Sequence, residues 1–250
     1  MNMLANLTSD ESIDQERDTV GGSGGPAESG LYNHTIAMAY LSKSAGGAMG
    51  LVLTLKDQNN KEVRQTLWMS SGTAKGSKNY YEKDGVKHYL PGFNLANSLC
   101  LLAVGKEISA MDTETKVVNV YSYEAKAEVP TKVDVLMDLL GKEIVTGLIK
   151  QNVDKTKKND QTGVYEATGE TRDENEIDKF FRASDRMTVA EIRAQSTEAV
   201  FANTWDAKWT GKTRERAKGA QTGSGSGVAG APKGSGTPIA KKPTQSLFAA

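Results

Sequence analysis

Apolar residues recur at every second position in three short runs, the spacing of strands with one buried face. Ile36, Met38 and Tyr40 form the first run, and Leu51, Leu53 and Leu55 the second. Val63, Leu67 and Met69 share a face of the third, with Trp68 on the opposite face. Asp57-Gln58-Asn59-Asn60 separates the second run from the third and is turn-forming, so these two are predicted to form a hairpin. The period then changes. Leu95, Leu99 and Leu102 lie on one side of a helix predicted from Asn94, its cap, to about Val104, with Gly105 at its end. Val117, Val118, Val120 and Tyr121 predict a further strand, and Pro130-Thr131 begins a short predicted helix that runs to Leu140 and closes at Gly141. Val145, Gly147, Ile149, Gln151 and Val153 share one strand face. A polar loop over 155–163 and a returning strand over 164–171 complete a second predicted hairpin. Asp173-Glu174-Asn175-Glu176 is expected to be a hydrated acidic loop. Thr188 and Glu191 have capping-box spacing before a short helix over 189–194. A last helix near 197–208 carries Val200, Phe201 and Trp205 on one side, rings expected to pack against the body. The pattern is that of a β-rich α+β fold with a few short helices.

Between the third strand and the first helix the apolar pattern lapses. Lys75, Lys78, Lys83 and Lys87 alternate there with Tyr80, Tyr81, His88 and Tyr89. Asp84-Gly85 has the composition of a tight hairpin turn, which would set Tyr80-Tyr81 opposite His88-Tyr89. Ammonium groups can track phosphates while each ring offers a face to a base, and such stacking contributes roughly 1–3 kcal/mol per base whatever the sequence. A single-stranded nucleic acid is the ligand that joins both chemistries. The competing reading is an ordinary polar surface loop, since Glu82 and Asp84 offset part of the charge. Lys155, Lys157 and Lys158 would extend a phosphate track along the tip of the second hairpin.

Charge is balanced over the 250 residues but unevenly placed. Residues 1–30 carry net −5 and residues 213–250 net +5, each stretch rich in glycine, so the chain is divided into a flexible acidic arm, a domain over 31–212 and a flexible basic tail. Leu247 and Phe248, near the end of that tail, are candidate partner-binding residues. Cys100 is the sole cysteine and sits between leucines, which predicts a buried small hydrophobe and a reducing compartment. No basic-then-apolar segment opens the chain and no apolar run nears membrane-spanning length, so a cytoplasmic protein is expected. His34 and His88 with Cys100 cannot assemble a conventional zinc site, and Gly72-Thr73-Ala74-Lys75-Gly76-Ser77-Lys78 lacks the glycine and hydroxyl positions of a phosphate loop. A binder with no cofactor is expected rather than an enzyme.

Four stretches carry a family likeness: Trp68-Met69-Ser70-Ser71-Gly72 with Lys75-Gly76-Ser77-Lys78-Asn79-Tyr80-Tyr81, Tyr89-Leu90-Pro91-Gly92-Phe93-Asn94 with Ala96-Asn97, and Phe201-Ala202-Asn203-Thr204-Trp205. With the order of elements, they make residues 31–212 resemble the single-stranded DNA-binding proteins encoded by tailed bacteriophages. The resemblance implies an OB-like antiparallel β-barrel that coats single-stranded DNA in replication and recombination. It also implies stacking by Tyr80, Tyr81, Tyr89 and Trp68, phosphate contacts from the lysines, replication or recombination proteins as partners of the tail, and leaves room for a homo-oligomer. One departure concerns the tail, which is basic here where many such proteins end in acids. The rival class is a structural or adaptor protein, for instance a phage assembly component, with flexible arms and no nucleic-acid groove.

Overall fold

The computed structural model describes residues 25–122, 125–159, 161 and 163–218. Among them the structure is β-rich and mostly antiparallel. Strand β1 (Gly30–Lys43) pairs with β2 (Met49–Lys56), which pairs with β3 (Glu62–Trp68). Asp57 builds the β2–β3 turn, its carboxylate accepting from the backbone N–H groups of Asn59 and Lys61 at 2.8 Å each. A small hairpin, β4 (Tyr80–Lys83) and β5 (Val86–Tyr89), follows, and then helix α1 (Pro91–Val104). A second hairpin is made by β6 (Glu114–Ser122) and β7 (Ala127–Val135), and a third by the long β8 (Glu143–Lys158) and β9 (Tyr165–Arg182). Helices α2 (Val189–Arg193) and α3 (Val200–Trp209) precede a last short strand, β10 (Thr213–Glu215), which lies parallel to β8. No helix among the described residues is long and apolar enough to cross a membrane.

Strand β1 organises the sheet. Its first half pairs with β8 from Gly30↔Leu148 to Thr35↔Glu143, and its second half meets β7 at Tyr40↔Val135. A bulge between Ile36 and Met38 separates the halves. The extra residue shifts the alternation, so Ile36, Met38 and Tyr40 do not share a face as their spacing predicts. Ile36 and Ala39 enter the main core, while Tyr40 joins Val52 and Val135 on the other side of the sheet with Met38 against them.

The main core sits inside the curve of β1, β2, β3, β8 and β9. Leu51, Leu53 and Leu55 face it with Leu67, as their period requires, and α1 covers it with Ala96, Leu99, Cys100 and Leu102. Pro91 opens α1 at its first turn, where its missing N–H costs nothing, and Gly105 ends it at φ 74°; the helix thus begins earlier than Asn94 predicts. Cys100 is fully buried, and desolvation pushes its thiol up to about 12.

Four expectations are corrected. Residues 130–135 form strand, not helix, because the β-branched Val129, Thr131, Val133 and Val135 alternate toward one face. Only Met137–Leu139 makes a helical turn. Asp173–Glu176 is strand as well, since β9 pairs with β8 without a break in the ladder from Asp154↔Thr171 to Leu148↔Ile177. The β8–β9 strands continue to Lys158 and Tyr165, shortening the predicted 155–163 loop. Finally, the sheet stays open rather than closing into a barrel. β3 and β9 are linked by the Ile177 N–H donating to the Gln65 side chain at 2.7 Å. Asn175 of β9 is engaged by Ala27, giving and receiving bonds of 2.8 Å, and Lys61 beside β3 donates to the Gly25 carbonyl. The segment before β1 thus holds side chains of β9 and of the β2–β3 turn at the seam.

A second core lies on the opposite face of β8 and β9, under α3. Trp205 packs on Val145, Ile149 and Phe181, and its indole N–H donates to Asp178 at 2.8 Å. Gly147 makes room for it: a methyl there would lie 2.9 Å from the Trp205 ring. Phe201, on the same helix, is more exposed than its spacing predicts. Ser29 ties both ends of the body together, donating to the Lys212 carbonyl and accepting from the Lys150 N–H. Residues 25–30 and 213–218 are therefore hydrogen-bonded parts of the body.

Candidate nucleic-acid interface

The Lys/Tyr hairpin forms in the register its composition predicts. Tyr80 faces Tyr89, Tyr81 faces His88, and Asp84 and Gly85 turn the chain at φ 52° and 76°. Both central residues at positive φ make this the turn whose twist matches its strands. Alternation along a strand then sorts the rings. Tyr80 and Tyr89 share one face with Lys87, while Tyr81 and His88 share the other, their rings 5.5 Å apart. No single strand of bases can lie on all three tyrosines from one side. Lys78 and Lys87 stand over the Tyr80 ring at 5.7 and 5.1 Å, leaving Tyr89, stacked on Phe93 at 4.9 Å and still 57% exposed, as the open ring of that face.

Lys75 and Lys78 lie on a loop closed by the Ser71 N–H donating to the Lys78 carbonyl at 2.7 Å. The loop is fastened to the β1–β2 turn by the Thr73 N–H and the Gly46 carbonyl, 2.8 Å apart. Glycine is needed at Gly72, where a methyl would lie 2.6 Å from that same carbonyl. These lysines are thus carried by a braced loop, and neither has an ion-pair partner among the described residues. The same holds for Lys83 and Lys87.

Trp68 ends β3 on the outer face of the sheet. Its ring lies across Gly50 of β2, where a methyl would come within 2.9 Å of it, and it is 44% exposed. Its backbone is held by the start of α1, since Gly92 approaches the Trp68 carbonyl so closely that a methyl would lie at 2.2 Å. A flat ring with one side seated on a strand and another side open is a stacking platform.

The same outer face carries a groove that sequence reasoning missed. Tyr40, Val52, Arg64 and Thr66 form its floor across β1, β2 and β3, and Val120, Tyr121, Thr131 and Lys132 of the β6–β7 hairpin form a wall. Its volume is about 650 Å³. The Arg64 guanidinium donates to the Tyr40 hydroxyl at 2.9 Å. Among the described residues Arg64, Lys43 and Lys132 have no carboxylate partner, so their charge faces the groove uncancelled. The one available signal was the outward phase of Arg64 and Thr66 beside Trp68. The bulge in β1, which turns Tyr40 to this side, leaves no trace in the spacing.

Lys155, Lys157 and Lys158 lie elsewhere. β8 runs antiparallel to the first half of β1, so these lysines project beyond Gly30, while the Lys75 loop adjoins the turn after Lys43. The length of β1, up to about 43 Å at 3.3 Å per residue, lies between them. Lys155 is also neutralised: it binds Glu170 at 2.9 Å, and this bond holds the Glu170 carboxyl below its ordinary value. Leu247 and Phe248 lie outside the described residues, as does most of each charged arm.

Chemically, the arrangement offers flat rings, and cations without carboxylate partners among the described residues, on one face of a sheet. No protein-family model matches this chain, and no curated protein is detectably similar to it in sequence.

Proposed function

We propose that this protein binds single-stranded DNA without catalysis, along the outer face of β1, β2 and β3. The observation that carries the reading is convergence: Trp68, Tyr40, Arg64, Lys43, Tyr121 and Lys132, from four strands, border one stretch of surface. Unpaired cations supply sequence-independent, salt-dependent attraction to phosphate, and exposed rings supply stacking. The Lys75 loop and the Tyr89 face of the hairpin continue this surface past the β1–β2 turn.

An OB-like fold is the finer reading of the sheet. Three meandering strands, a helix over the end of the core, and a later strand pair flanking a shared, bulged β1 support it, and in OB folds the outer face of the second and third strands carries oligonucleotides. The β4–β5 and β6–β7 hairpins are then insertions, the second raising a wall over the groove. The likeness to phage single-stranded DNA-binding proteins supports a role in coating strands during replication and recombination.

The deciding experiment is a titration of labelled oligo-dT and a matching duplex across a salt series. Tighter, salt-sensitive binding to the single strand is expected. Equal binding to both, or to neither, would refute the reading and leave an adaptor role, to which the exposed Val117 on β6 would lend itself.

A further inference from the structure

Beside the outer groove lies a second cavity, a mostly apolar cleft of about 610 Å³. That is within the roughly 300–1,000 Å³ typical of small-molecule sites. Met49, Met69, Phe93, Ile108, Met111 and Leu136 wall it, and Thr73, Ser77 and Asn79 of the lysine-bearing loop form part of its rim. Lys43 borders both this cleft and the outer groove. The cleft is held open by rigid parts. Met49 is fixed by bonds from its N–H to the Ser70 hydroxyl and to its carbonyl from the Met69 N–H, at 2.9 and 2.8 Å. Gly47, at φ 78°, meets Thr73 so closely that any side chain there would collide with it.

We infer that this cleft receives one nucleobase, turned out of the strand that follows the outer groove. The inference rests on the nucleic-acid reading above and adds a ligand site to it. Three methionine thioethers and the Phe93 ring offer a polarisable lining that accepts any flat heterocycle. What selects a nucleotide over an apolar side chain is the charge at the mouth. Lys43 lines the cleft, and Lys75 and Lys78 belong to the loop whose Thr73 and Ser77 form its rim; none has a carboxylate partner among the described residues, and an apolar peptide gives them nothing to bind, whereas a base enters with its phosphate attached. Continuity selects it as well, because a backbone leaving the outer groove past Lys43 meets this mouth next.

The test uses the full chain and the shortest oligo-dT that binds with full affinity, so that one register is occupied. A single abasic site is moved along the oligonucleotide, and affinity is measured at each position. Loss of one stacked base corresponds to roughly 5- to 150-fold in affinity. Ser109→Leu and Thr113→Leu, two exposed positions at the cleft, fill it without adding a ring. The double variant is expected to abolish the abasic penalty at one position and to keep the penalties elsewhere. A 2-aminopurine at that position is expected to be shielded from acrylamide in the unaltered protein and accessible in the variant. An abasic profile unchanged by filling overturns the base pocket while leaving the groove intact. Failure of the unaltered protein to bind oligo-dT overturns both. Should the double variant melt early, either single substitution gives the same comparison.

Discussion

Lys75 and Lys155 offer a controlled comparison, because only one of them is free to neutralise a phosphate. Lys75 and Lys78 sit on the braced 71–78 loop without carboxylate partners among the described residues, whereas Lys155 is engaged by Glu170 at 2.9 Å. Each phosphate neutralised on a single strand contributes about −0.7 to the slope of log K against log salt. Replacing Lys75 and Lys78 together by alanine should make the slope shallower by about 1.4. Between 50 and 200 mM salt, the variant's loss of affinity should therefore be smaller than the parent's by a factor of about 7. Lys155→Ala frees Glu170 as it removes the cation, and since exposed pairs of this kind are screened by water and contribute little, the fold should tolerate it. Its slope should stay close to the parent's. Fluorescence anisotropy with labelled oligo-dT measures all three slopes. A folded Lys75/Lys78 variant with the parental slope, or a Lys155 variant that flattens it equally, would refute the assignment of phosphate contacts to the loop.

Trp68→Ala should weaken oligo-dT binding by roughly 1–3 kcal/mol, and Trp68→Phe by much less, if the ring on Gly50 stacks with a base; equal losses in titration would argue against stacking. Gly147→Ala should destabilise the fold by roughly 1–3 kcal/mol in urea unfolding, because the added methyl meets the Trp205 ring; an unchanged midpoint would mean α3 is not fixed there. Burial holds the His34 imidazole below its ordinary value of 6.5, with Asp57 opposing the shift, so the unfolded chain takes up a proton that the fold resists. Stability should be full above pH 6.5 and decline as pH falls from there toward the lowered value, and His34→Gln should flatten that decline in pH-dependent melts. Thr188→Ala removes a hydroxyl that caps α2 and should cost about 1 kcal/mol in the same assay.

Local chemistry was legible wherever it is set by neighbours in the chain. The Asp84-Gly85 turn, the Thr188–Glu191 capping box and the Gly105 helix end depend on residues a few positions apart, and each forms as its composition predicts. Cys100 and the alternating leucines of β2 are buried for the same reason. Long-range choices were not legible. Residues 130–135 hold a proline that suggests a helix start, and pairing with Asn119 and its neighbours overrides that local preference. The outer groove depends on how β6 and β7 are placed over β1–β3, and no local pattern encodes that placement. The lysines of the β8–β9 hairpin are as basic in sequence as those of the 71–78 loop. Only the fold reveals that Glu170 answers Lys155 while the 71–78 loop has no such partner among the described residues.

The bulge between Ile36 and Met38 is a place where β1 can change length without changing its faces. Downstream of it, Ala39 faces the core and Tyr40 the groove, each opposite its β2 partner, and Ala37 is the residue left without one. Deleting Ala37 would set Met38 directly after Ile36, opposite Thr54, in ordinary alternation, so Ala39 would stay inward and Tyr40 outward; losing a residue beyond the bulge would instead turn the rest of the strand over. Several conservative substitutions along β1 could be absorbed one at a time. A change of one in residue count beyond the bulge would disturb the core and the groove together, and the turn after Lys43 is no freer, since Gly46 and Gly47 meet the 71–78 loop.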